Sequence, residues 1–387
     1  MLLEFGYDNH VPSLMILSFI TIFKKLTYHV VIKLSRAFVL HICFSSLPGS
    51  KQKKTMDDSS STSELSSSKP ESLPKFLQIP ELSSEYETLL ASLPSETNWF
   101  GHKCYQHQGF WFDNRQLVST LSCQEHFQAY DTDILLVSSP KAGTTWLKAL
   151  AFSVLRRSQF PTMKLHPLLT NNPHDLVPYV EFEYAESNSP DFHTAGHPRL
   201  LASHLPSASL PRSALETACK IVYVCRNPED LLVSIWTFFQ KVKGEGGSAI
   251  SLDEAVTKFV NGVSVNGPYW DHVLGYWKKS QENPDKVLFL RYETMKEDPK
   301  GVVAKLGKFF GCPFSPEEEA AGLVEEIVEL CSFNTLRSLD VNKKGKQATT
   351  GVPYDAFFRR GEVGDALNYL SPANAKSIDQ CMVDKLA

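Results

Sequence analysis

The segment from Ile134 to Arg157, ILLVSSPKAGTTWLKALAFSVLRR, constrains the fold of this chain more than any other stretch. Ile134–Val137 is a short apolar run with β-branched ends, which predicts a buried strand. Leu147–Leu155 carries apolar residues at helical spacing and precedes two arginines, which suit the C-terminus of a helix. The residues between them include Lys141, a glycine and two threonines. Backbone N–H groups at the helix start and the lysine ammonium can therefore hold one anion.

An ordinary strand-to-helix turn relieved by Gly143 is the alternative, because most such turns bind no ligand. Two threonines after Gly143 and a lysine two positions before it favour phosphate binding. In the nucleoside-triphosphate loop G-x-x-x-x-G-K-[ST], the lysine follows the second glycine and the next hydroxyl holds Mg²⁺. Here Lys141 precedes the glycine, which predicts a different geometry without a metal and argues against a kinase or ATPase.

The overall composition is that of an ordinary soluble globular protein. The chain has 387 residues, a formal net charge of −4, 42% hydrophobic residues and 21% charged residues. This length allows one large or two medium domains, and the slightly acidic balance does not favour nucleic acid as a partner. The eight cysteines show no C-x-x-C spacing, which favours buried thiols in a reducing compartment and predicts a cytoplasmic protein.

The first 80 residues differ from the rest of the chain. Residues 1–55 hold seven lysines and arginines against two acidic residues, and the apolar stretch Val11–Phe23 is too short to span a bilayer, which needs about 20 residues. We interpret residues 1–55 as an extension that precedes a translation start at Met56, with a targeting segment as the alternative. No membrane association is expected. Residues 56–80 are Ser-rich and predict a disordered linker.

The remaining residues alternate between apolar strand patterns and helical patterns. Predicted helices cover 81–93, 116–130 and 302–310, and predicted strands cover 134–137, 220–226 and 286–292. This alternation predicts an α/β fold, a single domain over 81–387 with a central parallel sheet flanked by helices and a phosphate-binding strand–loop–helix. Ligands of such sheets bind beyond the C-terminal ends of the strands. Lys141, Arg226 and Tyr292 follow predicted strand ends, so we expect them to meet in one crevice.

Five segments in this order resemble the cytosolic sulfotransferase family, and its plant branch in particular. They are Pro140–Trp146, Ser203–Pro206, Tyr223–Asp230, Leu288–Glu293 and Phe358–Asp365. The resemblance implies an enzyme that moves a sulfuryl group from 3′-phosphoadenylyl sulfate (PAPS) to a hydroxyl of a small lipophilic acceptor, leaving adenosine 3′,5′-bisphosphate (PAP). Flavonoids, brassinosteroids, hydroxyjasmonate and desulfoglucosinolates are acceptor classes of the plant branch, and the sequence does not choose among them.

The same resemblance assigns the donor site. It places the donor's 5′-phosphosulfate against Lys141, Ala142, Gly143, Thr144, Thr145 and Trp146, with Trp146 beside the adenine. It assigns the 3′-phosphate to Arg226, Ser234, Arg359, Arg360 and Gly361, and the adenine faces to Tyr292 and Phe333. The alternatives are ordinary structural roles: solvated arginines, a serine bonded to its own helix, and core aromatics.

His204 matches the position of the family's catalytic base. A lone histidine is more often a surface or satisfied core residue, but an acceptor hydroxyl needs its proton removed, and an imidazole of near-neutral pKa can do this. The expected chemistry is in-line attack on sulfur, with His204 taking the proton and Lys141 stabilising the departing phosphate oxygen. No metal is required by this scheme. Residues 110–112 and 166–178 are candidate walls of the acceptor pocket.

Four departures from the family pattern leave an alternative open. Ala202 stands where animal members carry lysine, Ala142 where serine is commoner and Ala366 where tryptophan is usual, and the C-terminal tail is short. The alternative is a catalytically weak or inactive member that binds PAPS or PAP. An ATP-dependent phosphotransferase and a membrane-anchored transferase are less favoured, and the oligomeric state stays open.

Overall fold

The structure is a computed structural model that describes Lys75 and residues 84–160, 162–192, 196–243 and 250–386. The predictions for residues 1–55 and, apart from Lys75, for the linker 56–80 lie outside the described residues. The chain divides into two compact units, residues 73–382 and residues 1–72 with 383–387. The strands and the candidate site belong to the first unit. Within the described ranges, no helix has the length and apolar character needed to cross a membrane.

The strands form two separate sheets, and helices occur between and after them. The described strands are β1 (Ser95–Thr97), β2 (Lys103–His107), β3 (Phe110–Asp113), β4 (Ile134–Ser138), β5 (Leu200–Ser203), β6 (Lys220–Cys225) and β7 (Val287–Arg291). The described α-helices are α1 (Ser84–Ser92), α2 (Asn114–His126), α3 (Thr144–Arg156), α4 (Pro173–Leu176), α5 (Val180–Glu183), α6 (Arg212–Glu216), α7 (Pro228–Lys243), α8 (Leu252–Val260), α9 (Tyr269–Glu282), α10 (Tyr292–Glu297), α11 (Pro299–Phe310), α12 (Pro316–Ala320), α13 (Leu323–Leu330), α14 (Phe333–Ser338), α15 (Asp340–Lys343) and α16 (Pro372–Leu386).

The central sheet is parallel and has the strand order β5-β4-β6-β7. All residues of β4 and β5 are buried, because helices cover both faces of such a sheet and its strands must be apolar throughout. This confirms the predicted α/β fold with a parallel sheet flanked by helices. Strand β5 was not predicted, because a run of four residues is too short to distinguish from an apolar turn.

Helix α3 packs directly against the central sheet. Leu147, Leu150 and Val154 recur every three or four residues and are fully buried, so one face of the helix joins the core cluster that includes Ile134 and Leu136 of β4. Each such side chain contributes about 1.5–3 kcal/mol by its burial. The packing fixes the start of α3 above the end of β4.

A second, antiparallel sheet of β1, β2 and β3 precedes α2. Asp113, the last residue of β3, caps α2 by accepting a hydrogen bond of 2.8 Å from the Gln116 N–H. The predicted helix 116–130 was wrong at its end: α2 ends at His126, because Phe127 has an extended backbone and its N–H closes the last turn on Cys123.

A buried ion pair joins the starts of β4 and β5. The Arg199 Nε donates to Asp133 Oδ1 at 2.8 Å, and the second carboxylate oxygen accepts from the Tyr130 N–H at 2.8 Å. Asp133 is 1% exposed. Removing one partner of a buried pair leaves an uncompensated charge, which costs far more than the pair gains.

We therefore expect Arg199→Met to lower the free energy of unfolding by about 3–5 kcal/mol. The measurement is urea unfolding followed by tryptophan fluorescence. Arg212→Met is the matched control, because Arg212 pairs with Glu216 on the surface and exposed pairs contribute about 0–1 kcal/mol. Equal unfolding midpoints for the two variants would contradict this account of the strand starts.

Candidate active site

A cavity of about 370 Å³ lies at the C-terminal ends of the central strands. Every residue predicted to form the site lines it except Ala142: Lys141, Gly143, Thr144, Thr145, Trp146, His204, Arg226, Ser234, Tyr292, Phe333, Arg359, Arg360 and Gly361. Ala142 is fully buried, and its N–H closes the turn by donating to the Ser139 carbonyl at 3.2 Å.

The turn between β4 and α3, residues 139–143, is held in an uncommon backbone conformation. Lys141 has φ +67° and Gly143 has φ +119°. A Cβ added at Gly143 would lie 2.7 Å from Cδ2 of Tyr292, so only glycine fits beside this ring. Non-glycine residues at positive φ cost energy and concentrate at functional sites. The turn therefore brings the Lys141 backbone and the first N–H groups of α3 to the cavity wall.

The two threonines at the start of α3 have different partners. The Thr144 hydroxyl is bonded to the Ser138 hydroxyl of β4, and the Thr145 hydroxyl lies 2.9 Å from Nε2 of His174. The first N–H groups of an α-helix have no partner within the helix. With both hydroxyls anchored, the helix start is a preformed anion site.

The ammonium of Lys141 lies over two aromatic rings. Its Nζ is 4.2 Å from the ring centroid of Phe238 and 5.5 Å from that of Phe357. Burial, together with repulsion by Arg226 and Arg359, lowers the pKa of Lys141 to about 7. An anion in the cavity would reverse both effects, because an opposite charge favours the protonated form.

Arg226 follows β6 and is 7% exposed. Its guanidinium donates to the Glu362 carbonyl at 2.8 Å, lies 3.7 Å from the Asp230 carboxylate and packs over the Tyr292 ring at 4.6 Å. Its Nε is buried and has no hydrogen-bond partner among the described residues. A buried N–H without a partner is costly, so the geometry leaves one donor of this guanidinium for a ligand.

Two carboxylates hold the C-terminal segment 359–366 in place beside the cavity. Asp365 accepts hydrogen bonds from both Arg359 and Arg360. Asp230, at the start of α7, accepts from the N–H groups of Gly364 at 2.7 Å and Ala366 at 2.9 Å. The segment 359–366 is thereby fastened against the start of α7, and the basic residues of two distant parts of the chain share one wall.

Aromatic rings line part of the same cavity. Trp146 meets Tyr292 edge-on with ring centroids 5.9 Å apart, and its buried Nε1 has no hydrogen-bond partner among the described residues. Phe333, the first residue of α14, lies against Gly361: a Cβ at Gly361 would be 2.5 Å from its ring. These rings leave a slot for a flat group with a hydrogen-bond acceptor.

His204 follows β5 directly and faces the same cavity. Its Nδ1 lies 2.8 Å from the Ser138 carbonyl, and a carbonyl oxygen can only accept, so the proton is on Nδ1 and Nε2 carries a lone pair. Burial lowers the pKa of His204 to about 3. This is below the near-neutral pKa expected from the residue type, and it keeps the imidazole neutral throughout the physiological range.

Neighbouring groups fix the orientation of His204. The Glu181 carboxylate accepts from the His204 N–H at 2.6 Å, and the Nε2 of His272 lies 3.1 Å from the His204 carbonyl. The Tyr179 ring packs 4.6 Å from the imidazole. The hydrogen bonds at both ends of the residue and the ring beside it leave little freedom to rotate Nε2 out of the cavity.

The region beyond His204 is mostly apolar. Its apolar lining side chains are Trp99, Phe100, Trp111, Phe182, Ile235, Phe238, Phe239, Val263, Val265, Val352 and Phe357. The polar side chains of the remaining lining include Asn98, Asp113, Arg115, Gln116, Ser119, Ser264, Gln347, Thr349 and Thr350. Of the predicted acceptor walls, Trp111 lines the cavity but Phe110 and Phe112 do not, because successive side chains of a strand point to opposite faces. Within 166–178, only His174 reaches the lining.

Several site residues were not predicted, and they fall into two groups. Asp230 and Asp365 lie inside segments that carried the family resemblance, but neither was given a role there. Tyr179, Glu181 and His272 gave no local signal, because each acts through a contact made only by folding. Within the described ranges, no cluster of three His, Cys, Asp or Glu side chains is placed to hold a metal ion.

Comparison with known proteins gives consistent matches. The family model described as "Sulfotransferase domain" matches residues 131–387. Cytosolic sulfotransferase 5 of Arabidopsis thaliana is 45% identical over 313 residues, covering 80% of this chain and 97% of that protein.

Solved structures agree with these sequence matches. A crystal structure of an Arabidopsis thaliana sulphotransferase superposes with a TM-score of 0.62 at 39% identity, covering 79% of this chain and 96% of that one. Mouse sulfotransferase SULT7A1, solved in complex with PAP, shares the fold at a TM-score of 0.55 and 24% identity, covering 73% of this chain and 95% of that one. The chain therefore belongs to the plant cytosolic sulfotransferases, a family of PAPS-dependent enzymes.

Proposed function

We propose that the cavity holds PAPS with its 5′ end at the start of α3 and its 3′-phosphate at the arginines. Two properties of the cavity suit PAPS: its positive charge, and hydrogen-bond donors that have no partner among the described residues. Lys141, Arg226 and Arg359 present positive charge to a space that suits an anion, and the buried Nε atoms of Arg226 and Trp146 have no partner among the described residues. Ser234, two helical turns into α7, lines the same wall.

Adenine recognition follows from the aromatic slot. Trp146 and Tyr292, which meet edge-on, and Phe333, which packs against Gly361, line the cavity together. A purine stacks on such rings and offers ring nitrogens that accept hydrogen bonds. Arg360 lies at the exposed edge of the same wall, where its guanidinium adds charge near the 3′-phosphate.

The acceptor is a small lipophilic molecule that carries a hydroxyl. The apolar region beyond His204 would bury such a molecule, and aromatic and aliphatic walls with few polar groups are typical of pockets for lipophilic ligands. Flavonoids, brassinosteroids and hydroxyjasmonate fit this description. Assays with a panel of acceptors choose among these classes, because all of them present apolar surface to the described walls.

The proposed reaction depends on two side chains. The bound donor supplies the sulfuryl group and, as transfer proceeds, a leaving phosphate oxygen. The Nε2 lone pair of His204 takes the proton of the acceptor hydroxyl, so that the oxygen can attack. Lys141 neutralises the negative charge that develops on the departing side. The hydrogen bond from Nδ1 to Ser138 holds the required tautomer.

One observation carries this proposal: His204, whose Nδ1 is bonded to a carbonyl and whose Nε2 is therefore unprotonated, lines the same cavity as Lys141 and Arg226. A nucleotide-binding protein without activity would need the basic wall but not an oriented imidazole. The departure at Ala366 does not open the cavity, since Ala366 is 2% exposed and its N–H is bonded to Asp230. The Arabidopsis relative at 45% identity is named a cytosolic sulfotransferase, and we propose the same location for this protein.

Replacing His204 tests the proposed base. We expect His204→Ala to lower kcat by about 10²–10⁴-fold and to leave the Kd for PAP unchanged, because the imidazole contacts the acceptor rather than the donor. The assay uses labelled PAPS with phenolic, steroid and jasmonate hydroxyl compounds. His126→Ala, on the exposed end of α2, is the control. Loss of PAP binding together with transfer would assign His204 a structural role instead.

The charge on Lys141 predicts how donor binding depends on pH. Because the pKa of Lys141 is lowered to about 7, the side chain is charged below that pH and neutral above it in the free protein. The anionic donor binds the charged form better, so the Kd for PAP should rise by up to about tenfold per pH unit above pH 7.

Isothermal titration calorimetry from pH 6 to pH 9 measures this dependence. The matched variant is Lys141→Arg, which stays charged throughout and should show a nearly flat Kd. A parent protein whose affinity for PAP did not change over this range would rule out titration of Lys141 in the donor site.

Gly361 provides a test of the adenine slot. Gly361→Ala places a methyl group 2.5 Å from the Phe333 ring and should weaken PAP binding by about tenfold or more, since strain of 1–3 kcal/mol must be relieved by moving the wall. Gly364→Ala is the matched control, because Gly364 also has a positive φ, +84°, but has no atom within 4 Å of the added carbon. Similar loss of affinity in both variants would refute the role of the Phe333 contact.

A further inference from the structure

A chain of three polar side chains lies behind the start of α3 and is not used by the reaction described above. The Thr145 hydroxyl, which lines the cavity, is 2.9 Å from Nε2 of His174. The Nδ1 of His174 is 3.1 Å from the Nζ of Lys148. Lys148 is fully buried and His174 is 3% exposed, so the chain runs from the cavity wall into the interior.

The surroundings of Lys148 define the direction of its hydrogen bonds. Its Nζ donates to the Val177 carbonyl at 2.8 Å and lies 3.3 Å from the centroid of the Tyr179 ring. A carbonyl oxygen only accepts, and the face of an aromatic ring attracts a cation. Together with the Nδ1 of His174, these groups match the three N–H donors of an ammonium. When Lys148 is protonated, it therefore donates to Nδ1.

This direction determines which ring nitrogen of His174 carries the proton. Because Nδ1 of His174 accepts, its Nε2 carries the proton and donates to the Thr145 oxygen. The Thr145 hydroxyl then has its own proton free: no acceptor for it is found among the described residues, and Thr145 lines the cavity. A hydroxyl fixed in this way donates to a negatively charged oxygen without first having to rotate.

The packing of His174 holds the chain in place. The His174 N–H donates to Asn172 Oδ1 at 2.9 Å, and the ring lies between Tyr179, at 5.6 Å, and Phe357, at 4.2 Å. Burial lowers the pKa of both His174 and Lys148, and an anion bound nearby favours the charged lysine. We therefore expect Lys148 to be fully charged, and to hold the His174 proton on Nε2, only when the anionic donor is bound.

We propose that His174 and Lys148 are positioning residues that orient the Thr145 hydroxyl as a hydrogen-bond donor to the 5′-phosphate of the bound nucleotide. The inference rests on the proposed donor site and adds two residues that do not touch the nucleotide. It predicts that their effect is confined to one phosphate group. It also predicts that their removal and the removal of the Thr145 hydroxyl have the same consequence.

The test compares two probes on the full chain by calorimetry: PAP, and adenosine 3′-monophosphate, which lacks the 5′-phosphate. The ratio of their Kd values measures what the 5′-phosphate contributes. We expect Thr145→Val and His174→Phe each to reduce this ratio by about tenfold. Because they remove one interaction, the double variant should lose no more than either single variant.

Three further variants separate positioning from packing. His174→Gln, whose amide can still donate to Thr145, should keep the parent ratio, and Lys148→Met should reduce it. His166→Phe is the matched control, because His166 is also buried among aromatic rings, Phe152 and Phe160, but does not line the cavity. If His174→Phe fails to fold, His174→Asn replaces it, since the shorter amide does not reach Thr145.

Three outcomes would overturn the inference: an unchanged ratio in His174→Phe, equal weakening of both probes, or additive losses in the double variant. Failure of the proposed function has a different signature. In that case the parent protein would bind PAP no better than adenosine 3′-monophosphate, and Lys141→Ala would change neither affinity.

Discussion

The structure depends on bringing several positive charges into one small cavity. Lys141, Arg226 and Arg359 come from three distant parts of the chain, and after burial their mutual repulsion is the next cause of the lowered pKa of Lys141. Two carboxylates offset this repulsion: Asp230 beside Arg226, and Asp365 between Arg359 and Arg360. Each carboxylate is behind the wall rather than inside the cavity. The charges are thus held in position while their free donors remain available to an anion.

The parallel sheet explains how these charges meet. The C-terminal ends of β4, β5, β6 and β7 lie at one edge, and the residues that follow them include Lys141, His204, Arg226 and Tyr292. A parallel sheet is buried on both faces, so its strands are rigid and poor in polar groups. The residues that bind the donor and carry out the reaction therefore lie in the turns at its edge. The donor-binding residues and the proposed base are all held by the same rigid sheet.

Much of this arrangement could be predicted from local sequence. The apolar run Ile134–Val137, the glycine-containing turn and the periodic α3 are each encoded within a few residues, and the family resemblance supplied the roles of His204 and Arg359. Local sequence could not show the supporting contacts. Asp230 bonds to Gly364 across 134 positions, and Lys148 meets His174 across 26. Such pairs have no periodicity or spacing that a sequence displays.

The fastening of segment 359–366 by Asp230 has a consequence for biosynthesis. The turn at Lys141 and the helix α7 leave the ribosome more than 100 residues before Arg359 and Arg360 do. A nascent or prematurely terminated chain thus has an open, half-built basic surface. Because Asp230 has no Gly364 or Ala366 to accept from until then, the cavity is completed only after that segment has emerged.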